Sequence, residues 1–180
     1  MRRGKPGVTA FLAKPFYRSK ICYLLGELSG EKELTAQQDF GGRPDCTGKR
    51  VLLVEDNEMN REIACVLIEE MGAQVEEARD GAEAVQMMSD SADGHYDMIF
   101  MDIQMPVMDG YEAAKEIRSL KRPDALKIPI VAMTANAFEE DVRIALDAGM
   151  NEHFAKPIDV RKLEVLLHRY LLGAEAAEEI

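Results

Sequence analysis

The chain has 180 residues, with 33 Asp and Glu against 22 Lys and Arg, a formal net charge of -11. That acidity argues against direct nucleic-acid binding. Hydrophobic residues make up 47%, enough for one good core, yet no apolar run approaches membrane-spanning length.

The cysteines, Cys22, Cys46 and Cys65, are odd in number and unevenly spaced. They fit a reduced, cytoplasmic chain better than a disulfide framework. Met1-Arg2-Arg3 is basic, but the apolar stretch behind it stops at Lys14-Pro15, too short for a signal peptide. After that lysine-proline pair, Ile21, Leu24, Leu25 and Leu28 recur at helical spacing. Residues 29–48 are polar and glycine-containing and read as a linker.

Four short apolar runs then follow, each ending on a polar residue. Arg50 to Val54 runs into Glu55-Asp56-Asn57. Met59, Ile63, Val66 and Leu67 come next at helical spacing, with Asn57 placed to cap and Gly72 to stop the helix. A weaker strand, Gln74-Val75-Glu76, precedes Asp80-Gly81 and the helix-like stretch Ala82 to Met88. Asp97 to Asp102 is the second run, followed by Pro106 and Asp109-Gly110, and then Tyr111, Ala114, Ile117 and Leu120. Ile128 to Met133 runs into Thr134-Ala135-Asn136, with Phe138, Val142, Ala145 and Leu146 behind it and Gly149 as a stop. Glu152-His153-Phe154-Ala155 runs into Lys156-Pro157, with Leu163, Leu166, Leu167 and Tyr170 beyond. Residues 173–180 read as an acidic tail. His95 and His168 read as surface residues, and the dense methionines as packing.

Strands alternating with helices imply parallel pairing through right-handed crossovers, an α/β fold. All strand ends of one kind then share one edge. Glu55, Asp56, Asp102, Thr134 and Lys156 converge there, although they span about a hundred residues of sequence. Three close carboxylates repel one another and call for a cation. Few hard oxygen ligands, with water allowed, suit Mg²⁺. A lysine beside a metal points to an anionic ligand, and phosphate is the natural one.

On four motifs residues 49–172 resemble a receiver domain, the phosphoacceptor module of two-component signalling. They are the pair Glu55-Asp56, the stretch Met101 to Gly110 around Asp102, the segment Met133 to Ala137, and Ala155-Lys156-Pro157-Ile158. The wording around Asp102 is most similar to C-terminal receivers of hybrid sensor histidine kinases. The resemblance implies a doubly wound, five-stranded parallel sheet of flavodoxin-like order 2-1-3-4-5 with helices on both faces. It implies Asp102 as phosphoacceptor, and Mg²⁺ held by Asp56, Asp102 and the backbone carbonyl of Gln104, with Glu55 acting through water. It implies that Lys156 pairs with the phosphoryl oxygens, that Thr134 donates to them, and that Lys156-Pro157 is cis. Gln104 and Asn136 occupy positions that tune the lifetime of the phosphoryl group. The family's switch residue is usually Tyr or Phe; here that position is His153, which adds a pH-sensitive ring.

The implied partner is a histidine kinase or histidine phosphotransfer domain, with self-catalysed phosphotransfer and autodephosphorylation and no nucleic acid. The implied setting is cytoplasmic, or the cytoplasmic part of a membrane-bound sensor kinase. Two other readings remain: a pseudo-receiver that only binds proteins, and a Mg²⁺-dependent phosphohydrolase. The second would want another Asp two residues after the nucleophile, where Gln104 stands. Ala13-Lys14-Pro15-Phe16 repeats Ala155-Lys156-Pro157-Ile158, and Phe11 stands where His153 stands. Residues 8–28 thus resemble the last strand and helix of a preceding receiver, which makes residues 1–28 a remnant-like segment that could also pair two chains as a homodimer.

Overall fold

The computed structural model describes residues 42–135 and 139–173. The repeat-like segment within residues 1–28, Asn136, Phe138 and the tail beyond Gly173 lie outside the described residues. The chain divides into units of residues 1–39 and 40–180, and the described fold belongs to the second.

Strands and helices alternate strictly. The order is β1 (Arg50–Val54), α1 (Glu58–Glu69), β2 (Gln74–Ala78), α2 (Gly81–Asp90) and β3 (Met98–Asp102). It continues with α3 (Gly110–Ser119), β4 (Ile130–Thr134), α4 (Glu139–Asp147), β5 (Glu152–Ala155) and α5 (Val160–Leu171). The sheet has the order β2-β1-β3-β4-β5, and every pairing is parallel. Central strands are apolar through their interior, with polar residues only at their ends, because both faces are covered.

Alternation along each strand sorts the core into two layers. Leu52, Val54, Ile99, Met101 and Ala132 face Ala84, Met88, Ala114 and Ile117 of α2 and α3, and Ala145 of α4. Val51, Leu53, Met98, Phe100 and Met133 face Ala64 and Ile68 of α1, and Leu163 and Leu167 of α5. Each large side chain buried this fully contributes about 1.5–3 kcal/mol.

The expected helix boundaries rest on side-chain caps. Asn57 accepts from the Asn60 N–H, Asp80 from Glu83, and Asp109 from Glu112. Gly72 and Gly149 sit at φ +89° and +90°, the left-handed conformation that ends a helix most easily as glycine.

The helix expected from Met59, Ile63, Val66 and Leu67 is present, but only Leu67 of these four packs against the core. Met59, Ile63 and Val66 are 71%, 51% and 54% exposed, while Arg61, Ala64 and Ile68 are buried. Helix α1 carries two candidate stripes, and the more hydrophobic one faces outward. Leu146 of α4 is likewise exposed. Residues 42–48, within the expected linker, pack on this domain: Cys46 is fully buried and its N–H donates to the Met71 carbonyl at 2.8 Å. Cys46 and Cys65 are free thiols. Burial, reinforced by Glu69 and Glu77, pushes the Cys65 thiol up to about 11, which disfavours its thiolate.

Candidate functional site

The parallel sheet brings the ends of β1, β3, β4 and β5 to one edge, and the loops there are pinned closely. Gly110 donates its N–H to the Ile103 carbonyl at 3.1 Å, and a Cβ at Gly110 would run into the Asp102 carbonyl. Gly81 donates to the Met108 carbonyl at 3.2 Å, and a Cβ there would lie 2.7 Å from that oxygen. Between these two points Met108 donates to the Pro106 carbonyl at 2.8 Å, with Val107 at φ +70°. A β-branched residue in that conformation is strained, a condition that concentrates at functional sites.

Asp102 is 5% exposed and Glu55 2% exposed, whereas Asp56 is exposed. Glu55, Asp56 and Asp102 each offer a carboxylate oxygen, all within 4.8 Å of one another. Lys156 Nζ lies 2.8 Å from Asp102 Oδ2 and 2.5 Å from Glu55 Oε2. Asp102 Oδ1 accepts the Gln104 N–H at 3.2 Å. Lys156 donates its own N–H to the Thr134 carbonyl at 2.8 Å, and its bond to Pro157 is cis, as expected.

The charges do not cancel: three carboxylates face one ammonium. Burial raises the Asp102 carboxyl above its ordinary value, and the attraction of Lys156 does not overcome it, because Glu55 adds repulsion. Lys156 is half-buried, and its two carboxylate partners outweigh the cost of that partial burial and raise its ammonium above the ordinary range. Lys156 stays charged, while Asp102 carries an unfavourable negative charge. A hard, oxygen-seeking divalent cation fits this donor set.

Beside the acidic cluster a cleft of about 410 Å³ opens, lined by Ile103, Gln104, Met105, Asp109, Tyr111, Thr134 and Asp141. Thr134 is half-buried at the end of β4. His153, half-buried on β5, pairs with Ala132 and so lies on the same sheet face as Thr134. The structure therefore brings Glu55, Asp56, Asp102, Gln104, Thr134 and Lys156 to one edge, with His153 two residues down its strand from Ala155.

The residue-type pattern gave no warning of Asn60 and Arg61. Asn60 Nδ2 donates to Glu55 Oε1 at 3.1 Å. Arg61 donates to the Glu55 carbonyl at 2.9 Å and, more loosely, to the Asp56 carbonyl at 3.4 Å. The available signal was their place in the first turn of the helix that follows the acidic pair.

The model of the response regulator receiver domain matches residues 51–168. The chain belongs to the receiver family. This receiver is 42% identical over 137 residues to rice "Probable histidine kinase 2", covering 70% of this chain and 13% of that protein. It is 36% identical over 150 residues to "Hybrid signal transduction histidine kinase L" of Dictyostelium discoideum, covering 83% of this chain and 9% of that protein. The receiver thus spans only a small part of the kinases it matches. Among solved structures it is similar to the receiver domain of a sensor histidine kinase from Pseudomonas aeruginosa, crystallised with a magnesium ion in its active-site cleft. That match has a TM-score of 0.63 and 38% identity, covering 71% of this chain and all (100%) of that one. The five-stranded order and the two helical layers are those of the receiver fold.

Proposed function

We propose that this receiver accepts a phosphoryl group on Asp102 from a phosphohistidine of a partner protein. The observation that carries the reading is Asp102 at the end of β3, buried, 2.8 Å from Lys156, and clustered with Glu55 and Asp56. A carboxylate oxygen of Asp102 attacks phosphorus. The P–N bond to the donor imidazole breaks, the ring leaves and takes up a proton, and an aspartyl phosphate remains. Lys156 then pairs with the phosphoryl oxygens, and Thr134 donates a hydrogen bond to them.

Asp56, Asp102 and the Gln104 carbonyl would hold Mg²⁺, with Glu55 acting through water. Bound there, the ion supplies neutralising charge for the carboxylates and the incoming phosphoryl group. The magnesium ion in the active-site cleft of the similar Pseudomonas receiver supports a cation at this site. Thr134 and His153, on one sheet face, would move together when phosphorylation draws the β4 end inward, shifting a two-state population.

The partner would be a histidine kinase or histidine phosphotransfer domain. The outward stripe of Met59, Ile63 and Val66 on α1 supports docking of an amphipathic helix beside the cleft. We take residues 49–172, with residues 42–48 packed against them, as the receiver within a larger hybrid kinase, acting in the cytoplasm, and the polar stretch of residues 29–41 as a linker on sequence pattern. Residues 1–28, on sequence pattern, would be the end of a preceding receiver. Among the described residues no helix is long and apolar enough to cross a membrane.

Incubation with acetyl phosphate and Mg²⁺, followed by mass mapping, tests the reading. The label should fall on Asp102 and disappear in Asp102→Asn. Strong labelling of that variant at another residue would remove Asp102 from its role.

A further inference from the structure

Arg61 lies outside the cleft, yet it grips the backbone that carries the acidic pair. Its side chain is 10% exposed, and its partners are specific. Nε donates to Glu77 Oε2 at 2.8 Å, and Nη1 donates to the carbonyls of Glu55 at 2.9 Å and Asp56 at 3.4 Å. Glu77 belongs to the edge strand β2, in register with Leu53. Its neighbour Ala78 accepts the Glu55 N–H at 3.1 Å. Strand β2 therefore holds Glu55 twice, directly at the N–H and through Arg61 at the carbonyl. The Glu55 carboxylate is fixed separately, by Asn60 and Lys156. Asp56 is different, because its carboxylate is exposed and its direction depends on the backbone beneath it.

We infer that Arg61 is a positioning residue for the acidic pair: by tying the Glu55 and Asp56 carbonyls to Glu77, it fixes the backbone of the pair and so the direction in which the exposed Asp56 carboxylate is presented to a divalent cation beside Glu55. The inference rests on the reading of the cleft as a Mg²⁺-dependent phosphoacceptor site. The fork of the guanidinium suits the task, since it reaches a carboxylate and two carbonyls from one rigid plane. An ammonium is a single flexible point charge and cannot span them equally well. Groups that orient metal ligands without touching the metal are commonly worth tenfold or more in affinity.

A plain staple between α1 and β2 would have a different signature. Its loss would lower stability and leave cation affinity unchanged. The test uses the full chain and Mg²⁺ alone, with amide resonances followed by NMR through a titration. The Arg61→Gln variant should raise the Mg²⁺ Kd about tenfold. Arg61→Lys should fall between the two. The Mg²⁺ concentration for half-maximal labelling by acetyl phosphate should rise in step, while the rate at saturating Mg²⁺ returns close to wild type. Glu77→Ala removes a half-exposed partner and keeps the guanidinium, so it should fold and show a smaller rise in Kd. Wild-type affinity in Arg61→Gln, or in Glu77→Ala should Arg61→Gln not fold, overturns the positioning role. A wild-type chain that neither binds Mg²⁺ nor takes label would overturn the reading of the cleft instead.

Discussion

The two edges of the sheet treat charge in opposite ways. Where the strands begin, charges are matched. Lys49 Nζ meets Asp97 at 3.0 Å, and the other Asp97 oxygen accepts the Arg50 N–H at 2.8 Å. Arg50 lies 2.9 Å from His95 Nδ1, His95 Nε2 lies 2.8 Å from Glu76, and Tyr96 donates to Glu76 at 2.7 Å. Where the strands end, three carboxylates cluster beside one lysine, which pairs with Glu55 and Asp102. A fold built for stability alone has no reason to gather them. The difference marks which edge is scaffold and which is site.

Two carboxylates make the contrast measurable. Burial opposes the charge of Glu76, but hydrogen bonds from Tyr96 and His95 outweigh it and hold that carboxyl below its ordinary value. Its stabilising contribution is present above the unfolded pKa and is lost as pH falls through the folded one. Asp102 is the reverse: burial raises it. Its favourable contribution exists below the unfolded pKa, where the group is protonated, and is lost as pH rises through the raised folded value. Near neutrality Asp102 therefore weakens the fold, whereas Glu76 supports it.

The comparison breaks if the site edge tolerates loss of a carboxylate. Asp56→Ala should cut labelling by acetyl phosphate at least about a hundredfold, with little change in stability because Asp56 is exposed. Glu55→Ala should cut labelling less. Equal labelling of wild type and Asp56→Ala would refute the ligand role. The scaffold edge should respond the other way. Arg118 donates to the Gly149 and Ala125 carbonyls and to Asn151 Oδ1, and Arg118→Met leaves all of these without that partner. Urea unfolding should show a loss of about 2 kcal/mol, with labelling of the folded fraction unchanged. A smaller effect sharpens the same point. Tyr96→Phe removes one hydrogen bond to Glu76 and should cost about 1 kcal/mol, again without touching phosphorylation.

The converging site was legible because strand ends announce themselves. Asp102, Glu55-Asp56, Thr134 and Lys156 each close a short apolar run, and parallel topology does the rest. The face of α1 was not legible. Its buried side is made of Arg61, Ala64 and Ile68, of which only one is strongly apolar, while Met59, Ile63 and Val66 form a better stripe and point outward. Hydropathy cannot separate a face that packs from one left open for a partner. Arg61 was illegible for a further reason: its partners are backbone carbonyls and Glu77, sixteen residues away on the edge strand β2. Cys46 was hidden by polar neighbours, since a single buried residue leaves no periodic trace.

The central claim, that the site edge is left short of positive charge for a cation to supply, is tested by thermal unfolding of wild type and Asp102→Asn with and without Mg²⁺. Without metal, Asp102→Asn should melt about 2 °C above wild type, because the neutral amide lifts a buried charge and still accepts a hydrogen bond. With Mg²⁺ at about ten times its Kd, wild type should gain roughly 1.4 kcal/mol, while the variant gains little. A wild-type chain that melts above Asp102→Asn without metal, and whose Tm ignores Mg²⁺, would contradict the account.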